Sequence, residues 1–126
     1  MKKQVIIPEK GPAAVGPYSP AVAAGSLVFV SGQIPVDQEG QVVKGDIVVQ
    51  TVQVLENLRA VLKGAGLTLK DVVKTTVFLT DLADFQEMNR VYGEFFGEQP
   101  PARTTVQVAG LPKGVAVEIE AIAVKR

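Results

Sequence analysis

Between Val115 and Val124 the chain alternates so regularly that few backbone geometries accommodate it. Val115, Val117, Ile119, Ala121 and Ala123 form one apolar face, while Glu118 and Glu120 point the other way beside Ile122 and Val124. A period of two belongs to a pleated strand, because successive Cβ atoms leave opposite faces. One side must be covered by other elements. The other side is largely apolar too, but two carboxylates interrupt it.

The rest of the chain supplies partners for such a strand. Gln4 to Ile7 is a short β-like run ended by Pro8, and Gly11-Pro12 opens a loop that continues to Gly16-Pro17. Ser19 to Ala24 and Leu27 to Ser31 read as two strands joined at Gly25-Ser26. The second is uniformly apolar through Leu27, Val28, Phe29 and Val30, which predicts a central strand covered on both faces. From Ile47 to Lys63, Val48, Val52, Leu55, Leu58 and Leu62 recur at three and four, the spacing of a helical stripe. Asp46 is placed to cap the start, and Gly64 or Gly66 to end it.

Val72 to Thr80 is crowded with β-branched residues that suit a strand. A second helix is expected from about Leu82 or Asp84 to Phe96, burying Phe85, Met88, Tyr92, Phe95 and Phe96 and stopped by Gly97 and Pro100-Pro101. Ala102 to Ala109 and Val115 to Lys125 complete the set. No linker, repeat or low-complexity segment divides the chain, so residues 1–126 read as one α+β domain, a mixed β-sheet with two helices on one face.

Composition narrows the chemistry. Among 126 residues there is no Cys and no His, which removes disulfides, thiol nucleophiles, histidine triads and the commonest zinc ligands. Thirteen basic residues balance thirteen acidic ones without a cationic stripe, so nucleic acid is not an obvious partner. Pro8, Glu9 and Lys10 interrupt the apolar run that follows Met1, Lys2 and Lys3, which argues against a secretory leader, and no segment approaches the ~20 apolar residues of a membrane helix.

Chemistry must therefore rest on carboxylates, Arg, Lys, Tyr, hydroxyls and backbone groups. In the strand beginning at Ala102, Arg103, Thr105 and Gln107 share a face. If the connector Gly110 to Gly114 closes the last two strands into an antiparallel hairpin, Arg103 lies roughly opposite Glu118 to Glu120. Patterning alone then favours a cross-strand ion pair on a solvated face over a site. Asn89 stands four residues after Phe85 and three before Tyr92, at the edge of a buried stripe, where packing or capping would also account for it. Ser31-Gly32 ends the apolar strand, where a missing side chain lets another molecule approach the backbone, although a strand-ending glycine is an equal explanation. Tyr18 brings an aromatic with a polar tip into a loop, as a core-edge tyrosine also would. Ser31 lacks both a histidine and a strand-turn-helix elbow, so it is no nucleophile.

Taken together, GPYSPAV (Gly16 to Val22), VSGQIPVD (Val30 to Asp37), VVKTTVFLTDLADF (Val72 to Phe85), PPARTTVQV (Pro100 to Val108) and LPKGVAVEIEAIAV (Leu111 to Val124) closely resemble the RidA, or YjgF-type, proteins. The resemblance runs in order along nearly the whole chain. It implies a chorismate-mutase-like two-layer fold, a cytoplasmic homotrimer with clefts between subunits, and no metal or cofactor. It also implies hydrolysis of enamines such as 2-aminoacrylate and 2-aminocrotonate, through their 2-imino tautomers, to 2-keto acids and ammonia. By the same resemblance Arg103 holds the substrate carboxylate and Glu118 stands near the hydrolytic water, while Tyr18, Ser31, Gly32 and Asn89 line the pocket. Thr105 stands where the best-known bacterial members carry cysteine, so a thiol has no role here, and its backbone or hydroxyl is left to meet the imine nitrogen.

Some relatives are associated with ribonuclease or translation-inhibitor activity, and others with chaperone-like or regulatory binding. Charge balance argues against the first. Arg103 argues against a purely apolar holdase.

Overall fold

The computed structural model describes residues 2–126, so Met1 lies outside it. In chain order it contains β1 (Lys3–Ile6), β2 (Ala21–Ala24), β3 (Leu27–Gln33), α1 (Ile47–Gly64), β4 (Val72–Leu79), α2 (Phe85–Phe96), β5 (Ala102–Gln107) and β6 (Val117–Val124). The strands form one mixed sheet ordered β1-β2-β3-β6-β4-β5. Only β4 and β5 pair in parallel; the other neighbours are antiparallel.

The connections explain this order. Parallel strands need a crossover, and α2 supplies it between β4 and β5. Since β3 and β4 are both antiparallel to β6, they run parallel to each other, and α1 crosses over the gap between them. β6 fills that gap. Its whole inner face, Val117, Ile119, Ala121 and Ala123, is at most 3% exposed, as suits a strand paired on both edges beneath the helices. The expected β5–β6 hairpin does not form: β4 lies between them, and residues 110–114 instead carry the chain across it to the central slot.

α1 starts where Asp46 accepts a hydrogen bond from the Val49 amide, and it ends as Gly66 takes φ of +76°. Its buried stripe is rotated from the expected one. Ile47, Thr51, Val54, Leu55, Leu58, Val61 and Leu62 face the sheet, while Val52 is exposed. Substituting Ala for Leu55, Leu58 or Leu62, all fully buried, would cost about 2–5 kcal/mol. In α2, Met88, Val91 and Tyr92 are the buried residues, whereas Phe85 is exposed. A short 3-10 turn, Leu82–Asp84, precedes α2 and is capped by Asp81.

The two layers share one apolar core, built from α1, α2 and the inner residues of the sheet. Buried polar groups within it are mostly paired. Asn57 donates to the carbonyls of Ile34 and Val36, and Thr75 shares a 2.6 Å hydrogen bond with Tyr92 Oη. The opposite face of the sheet is bare in this chain. Leu27 and Phe29 of β3 stand exposed there, next to Val124 and Ile122 in register. β3 is flanked on both edges as expected, but only one of its faces is covered, because both helices lie on the same side.

Candidate functional site

Two clusters of candidate residues emerge, on opposite sides of the sheet. The first is built where β3 loses its regular pairing with β6, between Val30 and Gln33. This irregularity turns Ser31-Gly32 toward the bare face. The Ser31 amide donates to the Pro20 carbonyl at 3.0 Å, and its hydroxyl to the Ser19 carbonyl at 2.7 Å. Ser31 thus ties the loop carrying Tyr18 to the strand. Tyr18 Oη accepts a bond from the Val15 amide at 3.3 Å, which folds the loop back on itself.

Glu118 lies directly over Gly32. A Cβ built on Gly32 would overlap Glu118 Oε2 and stand 2.8 Å from its Cδ, so only glycine leaves room for that carboxylate. Burial raises the Glu118 carboxyl above its ordinary 4.5, and the charge of Glu120, two residues on along the same face, raises it further. Tyr18, Ser31, Gly32, Glu118 and Glu120 together line an open depression of about 340 Å³ whose wall includes Pro112. Four of the seven sequence-predicted residues meet here.

The other three gather at the rim of the helix-covered face. Arg103 is paired in register with Thr75, an inward residue, so its side chain rises on the helix side. Its guanidinium stands 4.7 Å from the centre of the Tyr92 ring and 5.5 Å from that of Phe85. Among the described residues it has no acidic partner. Thr105 lies two residues along the same edge strand, and Asn89 one helical turn after Phe85. The Oγ1 of Thr105 and the Oδ1 of Asn89 are buried without a hydrogen-bond partner, an arrangement folded proteins seldom tolerate.

Arg103 and Glu118 therefore do not meet in one chain. The expected cross-strand pair is overturned, because β4 intervenes and the two side chains leave opposite faces. Sequence reasoning also treated Phe85 and Tyr92 only as core. Their spacing of seven, with Asn89 between, is the signal that could have placed both beside Arg103.

A family model described as Endoribonuclease L-PSP matches residues 8–125. The chain belongs to the RidA family, also described as the YjgF- or RutC-type. It is 56% identical over 126 residues to a RutC family protein of Pyrococcus abyssi, covering 99% of each chain. It is 51% identical over 126 residues to a Salmonella typhimurium protein named 2-iminobutanoate/2-iminopropanoate deaminase, covering 98% of each. A yeast crystal structure, YEO7, superposes with a TM-score of 0.97 at 42% identity, covering 99% of this chain and all of that one. The α+β architecture of this RidA-family chain is thus that of its solved relatives. Among its described residues, no helix is long and apolar enough to cross a membrane.

Proposed function

We propose that this RidA-family chain, acting as one domain, is a cytoplasmic deaminase that hydrolyses 2-imino acids, and the enamines that tautomerise to them, to 2-keto acids and ammonia. The observation that carries the reading is Arg103. Among the described residues its guanidinium has no acid beside it, so its planar donors are open to a carboxylate, which such a fork grips through two parallel hydrogen bonds.

The complementary half, around Glu118, belongs to a second copy in a homotrimer. The exposed Leu27 and Phe29 and the paired residues Ile122 and Val124 give the bare sheet an apolar surface for that copy to cover. Packing it against the rim of a neighbour's helix face brings Glu118 of one subunit to Arg103 of the next.

In such a cleft Arg103 fixes the substrate carboxylate and hence the adjacent imine carbon. Glu118, with its elevated carboxyl, takes a proton from the attacking water as the C–O bond forms and passes it to the imine nitrogen, giving a carbinolamine; it then takes the hydroxyl proton and delivers it to nitrogen as the C–N bond breaks and the C=O bond forms. Water supplies the oxygen of the keto acid, and ammonia leaves. Because the imine is already electrophilic, positioning and this proton relay suffice without cofactor or metal. Tyr18, Ser31 and Gly32 shape the water side, and Asn89 and Thr105 the substrate side. Thirteen basic residues balance thirteen acidic ones without a cationic stripe, which opposes a phosphate backbone and so a ribonuclease role.

The test is a competition. The chain is mixed with a serine or threonine dehydratase that releases the enamine, and semicarbazide traps the imine. Keto acid should appear faster, at the expense of the trapped adduct. No diversion from the trap, with the dehydratase active, would shift the reading to a binding module.

A further inference from the structure

We propose that Phe85, Tyr92 and Thr75 are positioning residues that hold the Arg103 guanidinium open for a carboxylate; the inference deepens the deaminase reading and rests on it. An unpaired arginine on a strand edge would ordinarily sample many rotamers. Here aromatic faces take the place of an acidic partner. Tyr92 stands 4.7 Å from the guanidinium carbon and Phe85 5.5 Å. A carboxylate neighbour would fix the cation by occupying its in-plane N–H groups. A ring holds it through the π-face and leaves those donors free.

The clasp is anchored from below. Tyr92 is 5% exposed, its hydroxyl shares a 2.6 Å hydrogen bond with Thr75 Oγ1, and its ring packs against Phe96 at 4.5 Å. Thr75 is fully buried and is the register partner of Arg103 itself. One cross-strand position thus supplies both the arginine and the hydroxyl that pins the ring beneath it. Phe85 and Tyr92, seven residues apart on α2, bracket Asn89, whose buried Oδ1 lacks a donor. The same helix face therefore carries both rings and an unpaired amide oxygen between them along the helix.

The test compares Phe85→Leu, Phe85→Tyr and Tyr92→Phe with the wild-type chain. Phe85 is exposed, so its replacement leaves the core intact. Phe85→Leu should raise KM for the imino acid about five- to tenfold and weaken pyruvate binding by the same factor, with kcat within about twofold, since the carboxylate contact is made equally before and during reaction. Phe85→Tyr should restore both. Tyr92→Phe keeps the ring but loses the Thr75 bond, and should raise KM only about two- to threefold.

An independent signature is the Arg103 Nε–H resonance, which the rings should shift upfield in the wild-type chain and release in Phe85→Leu. Wild-type KM together with an unmoved resonance in Phe85→Leu would overturn the clasp. If the wild-type chain released no keto acid from imines, the deaminase reading would fall instead, while a ring-shifted Arg103 and pyruvate affinity sensitive to Phe85 would still uphold the clasp. A ring-shifted Arg103 in a chain that binds no keto acid would overturn its carboxylate role.

Discussion

The helix-covered face of the sheet and the bare face treat the same alternating sequence in opposite ways. Beneath the helices, Val117, Ile119, Val77 and Leu79 are fully enclosed, and Asn57 and Thr75 find hydrogen-bond partners within the chain. On the bare face, Phe29 remains 43% exposed and Glu118 is half-buried, with no cation beside it among the described residues. The first face is finished by one chain and the second is not. Arg103 sits at the rim of the finished face, Glu118 on the unfinished one. The two halves of the proposed chemistry therefore lie on opposite sides of the sheet within one chain.

Arg103→Ala and Glu118→Gln should each lose more than about a hundredfold in kcat/KM while still assembling. Mixed, unfolded together and refolded, the two inactive variants should recover about a quarter of wild-type activity, because a cleft drawing its arginine from one variant and its glutamate from the other is intact. If the mixture stays as inactive as its components, the two residues do not serve one intersubunit cleft.

The sequence made the elements legible but not their neighbours. Period-two alternation in residues 115–124 and three-and-four spacing in α1 are local signals, and both produced elements close to their expected bounds. The order of the strands depends on which edge each one finds after a crossover, and no local pattern encodes that. Residues 110–114 look like a hairpin turn for this reason, yet they span β4. The stripe of α1 was rotated because valines and leucines occur on more than one side of it, and Val52 was exposed while Thr51 was buried. Of the site, Gly32 and Glu118 were legible only as separate oddities. Their contact arises across paired strands. Arg103 was legible as a cation, but the sequence paired it with the carboxylates of the last strand, whereas the rings beside it belong to the preceding helix, whose docking against β5 no local pattern encodes.

Gly32→Ala should displace the Glu118 carboxylate, since the added methyl would overlap it, and should lower kcat about ten- to a hundredfold with little change in stability. In a Glu118→Gln background the same change should add much less, because the carboxylate it disturbs is already gone. Full additivity, measured by a double-mutant cycle on kcat, would mean that Gly32 acts through something other than Glu118.

Burial, then the charge of Glu120, disfavours the ionised form of Glu118, so the folded chain holds that proton more tightly than the unfolded one. The resulting penalty is absent below the ordinary value of 4.5 and fully present above the raised one. Glu118→Gln should therefore raise Tm at neutral pH, on the order of 1 °C for a half-exposed group, and the gain should vanish as the pH falls below the ordinary value. Catalysis needs the ionised carboxylate, so activity should decline as the pH drops through the raised value. Glu120→Gln removes one cause of the elevation, and should move that acid limb to lower pH while leaving the plateau near wild type. A limb that stays in place would leave burial alone responsible, and a collapsed plateau would make Glu120, not Glu118, the carboxylate that faces the substrate.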